Sequence, residues 1–373
     1  MSTNNLKDAA QKILDLAGIK IYGSNPWDIQ VKNEDFYKRV LTQGSLGLGE
    51  AYMDGWWECE KLDEFFARIL SAQIDRRVKG DWKLIFNLIF WRIFNQQSKS
   101  RAFEIGEKHY DIGNDLYEVM LDKRMVYTCA YWDKATNLDQ AQENKLDLVC
   151  RKIGLKPGQE VLDIGCGWGS FARFAAEKYQ AKVVGIAVSK EQVALAQKLC
   201  QGLPIEIRLQ DYRDLNEKFD HIISLGMIEH VGYKNYRSYM EIVHKCLKDN
   251  GLFLLQTIAG NRSVKSTDPW IDKYIFPNSM LPSAEQIGQA INDLFVLEDW
   301  HSFGINYDKT LMAWYGNFLA GWDKIKNNYS ERFFRMWKYY LLCCAGSFRA
   351  RKNQLWQIVL SKDGVTGGYK SIR

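Results

Sequence analysis

VLDIGCGWGS, residues 161–170, runs from apolar residues into an aspartate and then through three glycines spaced two apart. Glycines at the end of a strand let the chain turn sharply and bring its backbone against a ligand with no Cβ in the way. The dinucleotide fingerprint GxGxxG/A needs glycine or alanine at position 170, where this chain has Ser, and VVGIAV at 183–188 offers no acid for an NAD ribose. The Lys-Ser/Thr pair of a Walker-A loop is missing too. Asp163, just ahead of the glycines, can make charge-assisted contacts near the cationic end of a ligand or orient the loop amides. A nucleoside bearing a cationic sulfonium and no pyrophosphate fits these residues better than NAD does. A buried structural turn is the reading that the glycines alone leave open. The polar turns SKEQ at 189–192 and DYRD at 211–214 become candidates for ribose, amino-acid and adenine edges.

The flanking sequence sets the fold class. ENKLDLVCRKIGL at 143–155 has helical spacing and is ended by Gly154, EVLDIG at 160–165 reads as a strand, SFARFAAEKY at 170–179 as a helix, and AKVVGIAV at 181–188 as the next strand. EQVALAQKLCQ is another helix, while IEIRLQD, FDHIISLG and GLFLLQTI supply three further strands. This rhythm predicts an α/β domain with a mainly parallel, doubly wound sheet, helices on both faces and ligands beyond the carboxyl ends of the strands. LFVLEDWHSFG at 294–304 returns to strand character, 311–325 and 331–350 read as helices, and QLWQIVLSK is a last strand, expected antiparallel beside the others.

The region before residue 100 reads as mainly helical, with a division of the chain expected between residues 100 and 140, placed as 1–100 and 101–373. In GSLGLGEAYMDGWWE, residues 44–58, the glycines break the helical pattern, and Tyr52, Trp56 and Trp57 suit either a domain core or a lipid-facing patch. The apolar run Leu84–Phe94 within 80–102 is interrupted by Asn87 and Arg92 and is too short to span a bilayer. A helix there buries its apolar face in another domain or lies at a membrane interface beside Lys83 and Arg92.

At 373 residues and 46% hydrophobic composition the chain can bury a sizeable core, so disorder is a poor description. The formal charge of +5 is not gathered into a basic tail, and no helix-turn-helix or finger spacing points to nucleic acid. Five scattered histidines and the lack of CxxC or HExxH argue against a metal site, and a polar amino terminus with eight cysteines suggests a reduced, cytoplasmic protein with mostly buried thiols.

The glycine segment looks like the S-adenosylmethionine site of class I methyltransferases. Most of the chain resembles the cyclopropane-fatty-acyl-phospholipid synthases, through SLGLGEAYMDGWWE, KHYDIGNDLY, YTCAYW, VLDIGCGWG, GMIEHVG, YIFP and CAGSFRARKNQLWQ, and its catalytic part is similar to the mycolic acid cyclopropane synthases. The resemblance implies a Rossmann-like class I methyltransferase domain with a mainly parallel seven-stranded sheet and a smaller, mainly helical amino-terminal domain for lipid binding or dimerisation. It implies methylene transfer from S-adenosylmethionine across a cis double bond of a phospholipid acyl chain. A homodimer attached peripherally to the inner face of the cytoplasmic membrane, with no nucleic-acid partner, goes with it.

Carried over by position, the methyl-donor residues are Tyr127, Thr128, Asp163, Gly165, Cys166, Gly167, Gly169, Val188, Ser189, Gln192, Tyr212 and Arg213. In this family the proton acceptor is thought to be bicarbonate, and its pocket maps to Cys129, Glu229, the backbone at Ile258, and Tyr307. The family's LLHTI is LLQTI here, so Gln256 replaces a histidine; glutamine can donate a hydrogen bond to an anion but cannot carry charge or shuttle a proton. Cyclopropanation with altered bicarbonate affinity or pH dependence is expected, and a methylene- or methyl-branched product stays open. Cys344 occupies a position once proposed as a nucleophile, but direct alkene methylation needs no covalent enzyme intermediate, so a packing role is the expectation. A soluble-substrate or RNA methyltransferase and a noncatalytic lipid-binding protein are the competing readings.

Overall fold

The computed structural model describes residues 3–74 and 113–373. The expected helix at 80–102, the cut at residue 100 and the start of KHYDIGNDLY lie outside those residues. The described residues group into two compact units: those up to Met120 with 267–278 and 311–352, and those of 121–266, 279–310 and 353–373. The grouping is not one of two consecutive segments, as 1–100 and 101–373 would be, because the helical unit also takes in two stretches from the far part of the chain.

In the helical unit, β1 (Gln30–Val31) and β2 (Trp57–Glu58) form a short antiparallel pair beside the helices Thr3–Asp15, Asp35–Met53 and Leu62–Ser71. The helix Asp35–Met53 keeps its course through Gly47 and Gly49 and is kinked only at Gly44, where φ is 59° and ψ −135°. The expectation that the glycines of 44–58 break the helix therefore holds at Gly44 and at Gly55, which has φ of 74° just past the helix end, and not at Gly47 or Gly49. Gly49 serves close approach: a Cβ there would lie 2.3 Å from Cδ1 of Trp270. Tyr52 and Trp57 are buried and pack edge to face at 5.3 Å, so these two aromatics belong to the core of this unit. Trp56 is half-buried under the Arg39 guanidinium. The helix Glu331–Arg349 packs on Leu62–Ser71 through Gly346, where a Cβ would meet Asp63 O and Phe66 Cβ at 2.6 Å.

The second unit is built on a seven-stranded sheet of order β5-β4-β3-β6-β7-β9-β8. Its strands are β3 (Glu160–Ile164), β4 (Lys182–Ala187), β5 (Ile205–Leu209), β6 (Phe219–Leu225), β7 (Leu247–Gly260), β8 (Val296–Ser302) and β9 (Asn353–Ser361). The pairs β3–β4, β4–β5, β3–β6 and β6–β7 are parallel, and β9 runs antiparallel to both β7 and β8, as the sequence led us to expect. Strands covered on both faces read as continuous apolar runs, and the period of two divides them between two cores. Val161, Val183, Ile223, Leu254 and Val359 join the helices Leu138–Lys152 and Ser170–Tyr179 on one face. Leu162, Val184, Ile222, Phe253 and Ile358 join Tyr236–Cys246 and Ala284–Ile291 on the other. Chain order reverses direction across the sheet between β3 and β6, so the crevice at their carboxyl ends is where a doubly wound sheet places its ligand.

Candidate functional site

The turn after β3 enters that crevice. Gly165 and Gly169 have φ of 85° and 73°, a region L side chains rarely adopt, and a Cβ would lie 3.0 Å from the Met227 side chain at the first and 2.8 Å from Cys200 Sγ at the second. At Gly167, with φ of 53°, there is no such crowding, so backbone conformation alone asks for glycine. Asp163, next to last in β3, is 2% exposed, its Oδ2 has no hydrogen-bond partner, and burial raises its carboxyl to about 7 against the pull of the Lys145 ammonium. A buried carboxylate oxygen without a donor is costly unless a ligand supplies one. This orphan oxygen beside a cradle that side chains would fill fits a nucleoside carrying positive charge.

The other positions expected to contact the methyl donor come from neighbouring strand ends. Val188 follows β4 and is 72% exposed, and Ser189 caps the helix Lys190–Leu199 by accepting from Gln192 N at 3.4 Å. Cys166 is buried within the turn. Tyr212 is half-buried and packs edge-on against Tyr239 at 5.2 Å, whereas Arg213 is exposed and paired through two nitrogens with Asp211. Tyr127 and Thr128 are half-buried, and the Thr128 methyl sits 3.0 Å from where a Cβ of Gly226 would be, so this segment lies against the turn after β6.

That turn carries Glu229, in the short 3-10 helix Ile228–His230. Glu229 is 5% exposed; its Oε1 accepts from Ile258 N at 2.7 Å and its Oε2 has no partner. Burial lifts this carboxyl to about 7, although the backbone amides of Glu229 and Ile258 pull the other way. His230 beside it is exposed. Met280 N donates to Glu229 O and Gly226 N to Gln256 O, which ties the turn to the end of β7. Gln256 is buried, and its Oε1 accepts from Gln357 Nε2 at 3.0 Å across the β7–β9 ladder.

Cys129 is fully buried, its Sγ donates to Ala130 O at 3.2 Å, and burial pushes its thiol well up. Asn306 Oδ1 accepts from Trp132 N at 2.7 Å, and Thr310 Oγ1 accepts from Ala130 N and Trp132 Nε1 at 3.2 and 3.0 Å. Asn306 and Thr310 flank buried Tyr307 on the helix Ile305–Ile325, so the Cys129 segment and the start of that helix are held together. Cys129, Glu229, Gln256, Ile258 and Tyr307 thus all belong to the sheet unit, whereas Cys344 lies half-buried on Glu331–Arg349 in the helical one. Among the described residues no group of acidic, histidine and cysteine side chains is arranged to hold a metal ion.

Two residues escaped the reading of the sequence. Gln142 and Lys145 are both fully buried on the helix Leu138–Lys152, where Gln142 Nε2 donates to Thr128 O at 2.8 Å and Lys145 Nζ to Thr128 Oγ1 at 2.9 Å. The signal was present: with Leu138, Val149 and Lys152 they form a stripe at i, i+4, i+7, i+11 and i+14, the spacing of a core-facing side.

The sequence pattern of the family described as mycolic acid cyclopropane synthetase matches residues 97–358. A cyclopropane-fatty-acyl-phospholipid synthase of Escherichia coli (strain K12) is 55% identical over 364 residues, covering 98% of this chain and 95% of that protein. The solved cyclopropane synthase MmaA2 from Mycobacterium tuberculosis superposes with a TM-score of 0.65 at 31% identity, over 68% of this chain and 96% of that one. The mycolic acid cyclopropane synthase CmaA1, solved with SAH and CTAB, gives 0.64 at 30% identity, over 68% and 96%.

Proposed function

Since the chain belongs to the mycolic acid cyclopropane synthetase family of class I S-adenosylmethionine-dependent methyltransferases, and is an enzyme that transfers a one-carbon unit to unsaturated lipid chains, we propose that it acts on a cis double bond in a membrane phospholipid and makes the cyclopropane. S-adenosylmethionine, when bound, supplies an electrophilic methyl group. Asp163 and the glycine turn hold it, Tyr127 and Thr128 contact its amino-acid end, and Ser189, Gln192 and Tyr212 its nucleoside. An isolated alkene has no acidic proton, so no base acts before the new carbon–carbon bond forms. Positive charge then develops on the lipid carbon, and the ring closes when the new methyl group gives up a proton. The protein's tasks are to hold negative charge beside that carbon, to accept the proton and to keep water out.

One observation carries this reading: Glu229 is buried beyond β6 with one oxygen fixed by Ile258 N and the other unpartnered. Bicarbonate fits the same residues on one condition. Two anions would repel at close range, but Glu229, with its carboxyl near 7, can keep its proton and donate it to an anion held by Cys129, Tyr307 and the Gln256 amide. Either way the pocket holds one negative charge. Peripheral attachment to the inner membrane face and a homodimer complete the proposal; among the described residues no helix is long and apolar enough to cross a membrane.

The test incubates the protein with methyl-labelled S-adenosylmethionine and vesicles of cis-unsaturated phospholipid and solves the lipid product by NMR. High-field ring protons support the proposal, and label in a soluble metabolite or RNA instead of lipid overturns it. Vinylic protons would establish the second reading, a methylene-branched chain formed when the cation rearranges and loses its proton without closing the ring, which Gln256 keeps open by standing where the family has a histidine beside the proton acceptor. If Gln256 lines an anion pocket, Gln256→His shifts the bicarbonate concentration for half-maximal rate by about 3-fold or more, a hydrogen bond's worth of affinity. Superimposable bicarbonate curves for the two proteins would remove Gln256 from the pocket.

A further inference from the structure

Lys145 has no place in the mechanism above, yet it is a lysine at 0% exposure whose ammonium meets a residue of the methyl-donor site. Lysine is almost never fully buried without a paired task. Its neighbours in charge are Asp122, Cys129 and Asp163, and burial lowers it to about 8, so it is mostly protonated at neutral pH. Asp122 is already occupied, since its two oxygens accept from Val126 N and Arg124 N.

Thr128 is held from three sides. Gln142 takes its carbonyl, its methyl lies against the position where Gly226 has no Cβ, and Lys145 takes its hydroxyl oxygen. An ammonium can only donate, so the Thr128 oxygen must accept, and the hydroxyl hydrogen is left to be given to an acceptor. The donor molecule's amino-acid end offers a carboxylate as that acceptor. Lys145 and Asp163 also feel each other's charge without a direct bond, and a ligand with a carboxylate at one point and cationic groups at others matches both.

We propose that Lys145 is a positioning residue for the methyl donor: it fixes the Thr128 hydroxyl as a hydrogen-bond donor and sets positive charge near the amino-acid carboxylate. This rests on Thr128 and Asp163 belonging to the S-adenosylmethionine site. Lys145 acts on the ligand through Thr128, so the loss on removing it falls on ligands that have the amino-acid end and spares those without it.

The experiment titrates the full chain by calorimetry with S-adenosylhomocysteine and with 5′-methylthioadenosine, which has the same nucleoside thioether and no amino-acid end. The proteins are the parent, Lys145→Met, Thr128→Val and the double variant, each also followed by thermal unfolding. Lys145→Met is expected to weaken S-adenosylhomocysteine by about 10-fold or more, the size of a charge-assisted hydrogen bond, and methylthioadenosine by less than about 2-fold. The double variant should bind no worse than the weaker single one, because the two residues form one path. Equal losses for both ligands would show a lysine that merely holds the fold, and unchanged S-adenosylhomocysteine binding would show no role; either overturns the proposal. If Lys145→Met does not fold, Thr128→Val must still separate the two ligands by about 5-fold, and its failure to do so overturns the proposal equally. A parent protein that binds neither ligand would instead sink the methyl-donor site itself.

Discussion

Glu229→Gln is expected to lower kcat by about 10²- to 10⁴-fold, the range for removing a charge or proton-transfer group aimed at a transition state. Binding of S-adenosylhomocysteine should change by less than about 3-fold, since that ligand brings no developing cation to the site. The substitution is conservative where structure is concerned. A glutamine carbonyl can still accept from Ile258 N, so the tie between the β6 turn and β7 survives, and a buried group near pH 7 is replaced by one that never ionises. What it removes is the capacity to carry negative charge or to hold and release a proton. Single-turnover kinetics on unsaturated vesicles check this. A variant that keeps more than about a tenth of the rate would mean that positive charge on the lipid is stabilised elsewhere.

Asp163→Asn is expected to weaken S-adenosylmethionine binding by about 10- to 100-fold and at the same time to make the ligand-free protein more stable. The second half follows from linkage. The folded carboxyl lies at about 7, above the ordinary value of about 3.9, so its contribution to stability is full below the lower value and is lost as pH rises through the upper one. Over that interval the wild-type chain gives up about 4 kcal/mol that the asparagine variant keeps. Unfolding followed from pH 4 to 9 should show the variant's advantage growing up to about pH 7 and then levelling. A wild-type chain that is the more stable of the two at pH 8 would mean that Asp163 has a fixed partner in the free protein.

The sheet unit was largely legible in the chain. From VLDIGCGWGS outward, apolar runs bounded by glycine marked the strands, and QLWQIVLSK is antiparallel as expected, its place between β7 and β8 being supplied by the structure. The helical unit was less so. Periodicity shows that the helices at 311–325 and 331–349 have a buried side but not which core receives it, and their residues join the unit built by the start of the chain. Two of the glycines of 44–58 misled for a similar reason: Gly49 looks like a helix breaker until Trp270, far along the chain, is seen against it. Glu229 and Asp163 could be named from motifs, but their half-satisfied state is a property of the packed crevice. Lys145 was overlooked because a lysine within a helix reads as solvated, even at a spacing that faces the core.

Both buried carboxylates are understood here as negative charge kept in reserve for cations, partly protonated until one arrives. Calorimetry in buffers of different ionisation enthalpy measures that reserve directly, as protons released when ligand binds. At pH 6 to 7, S-adenosylmethionine should release about half to one proton, S-adenosylhomocysteine distinctly less, and Asp163→Asn should abolish the difference. Equal release by both ligands, or none, would show that Asp163 does not answer to the sulfonium charge.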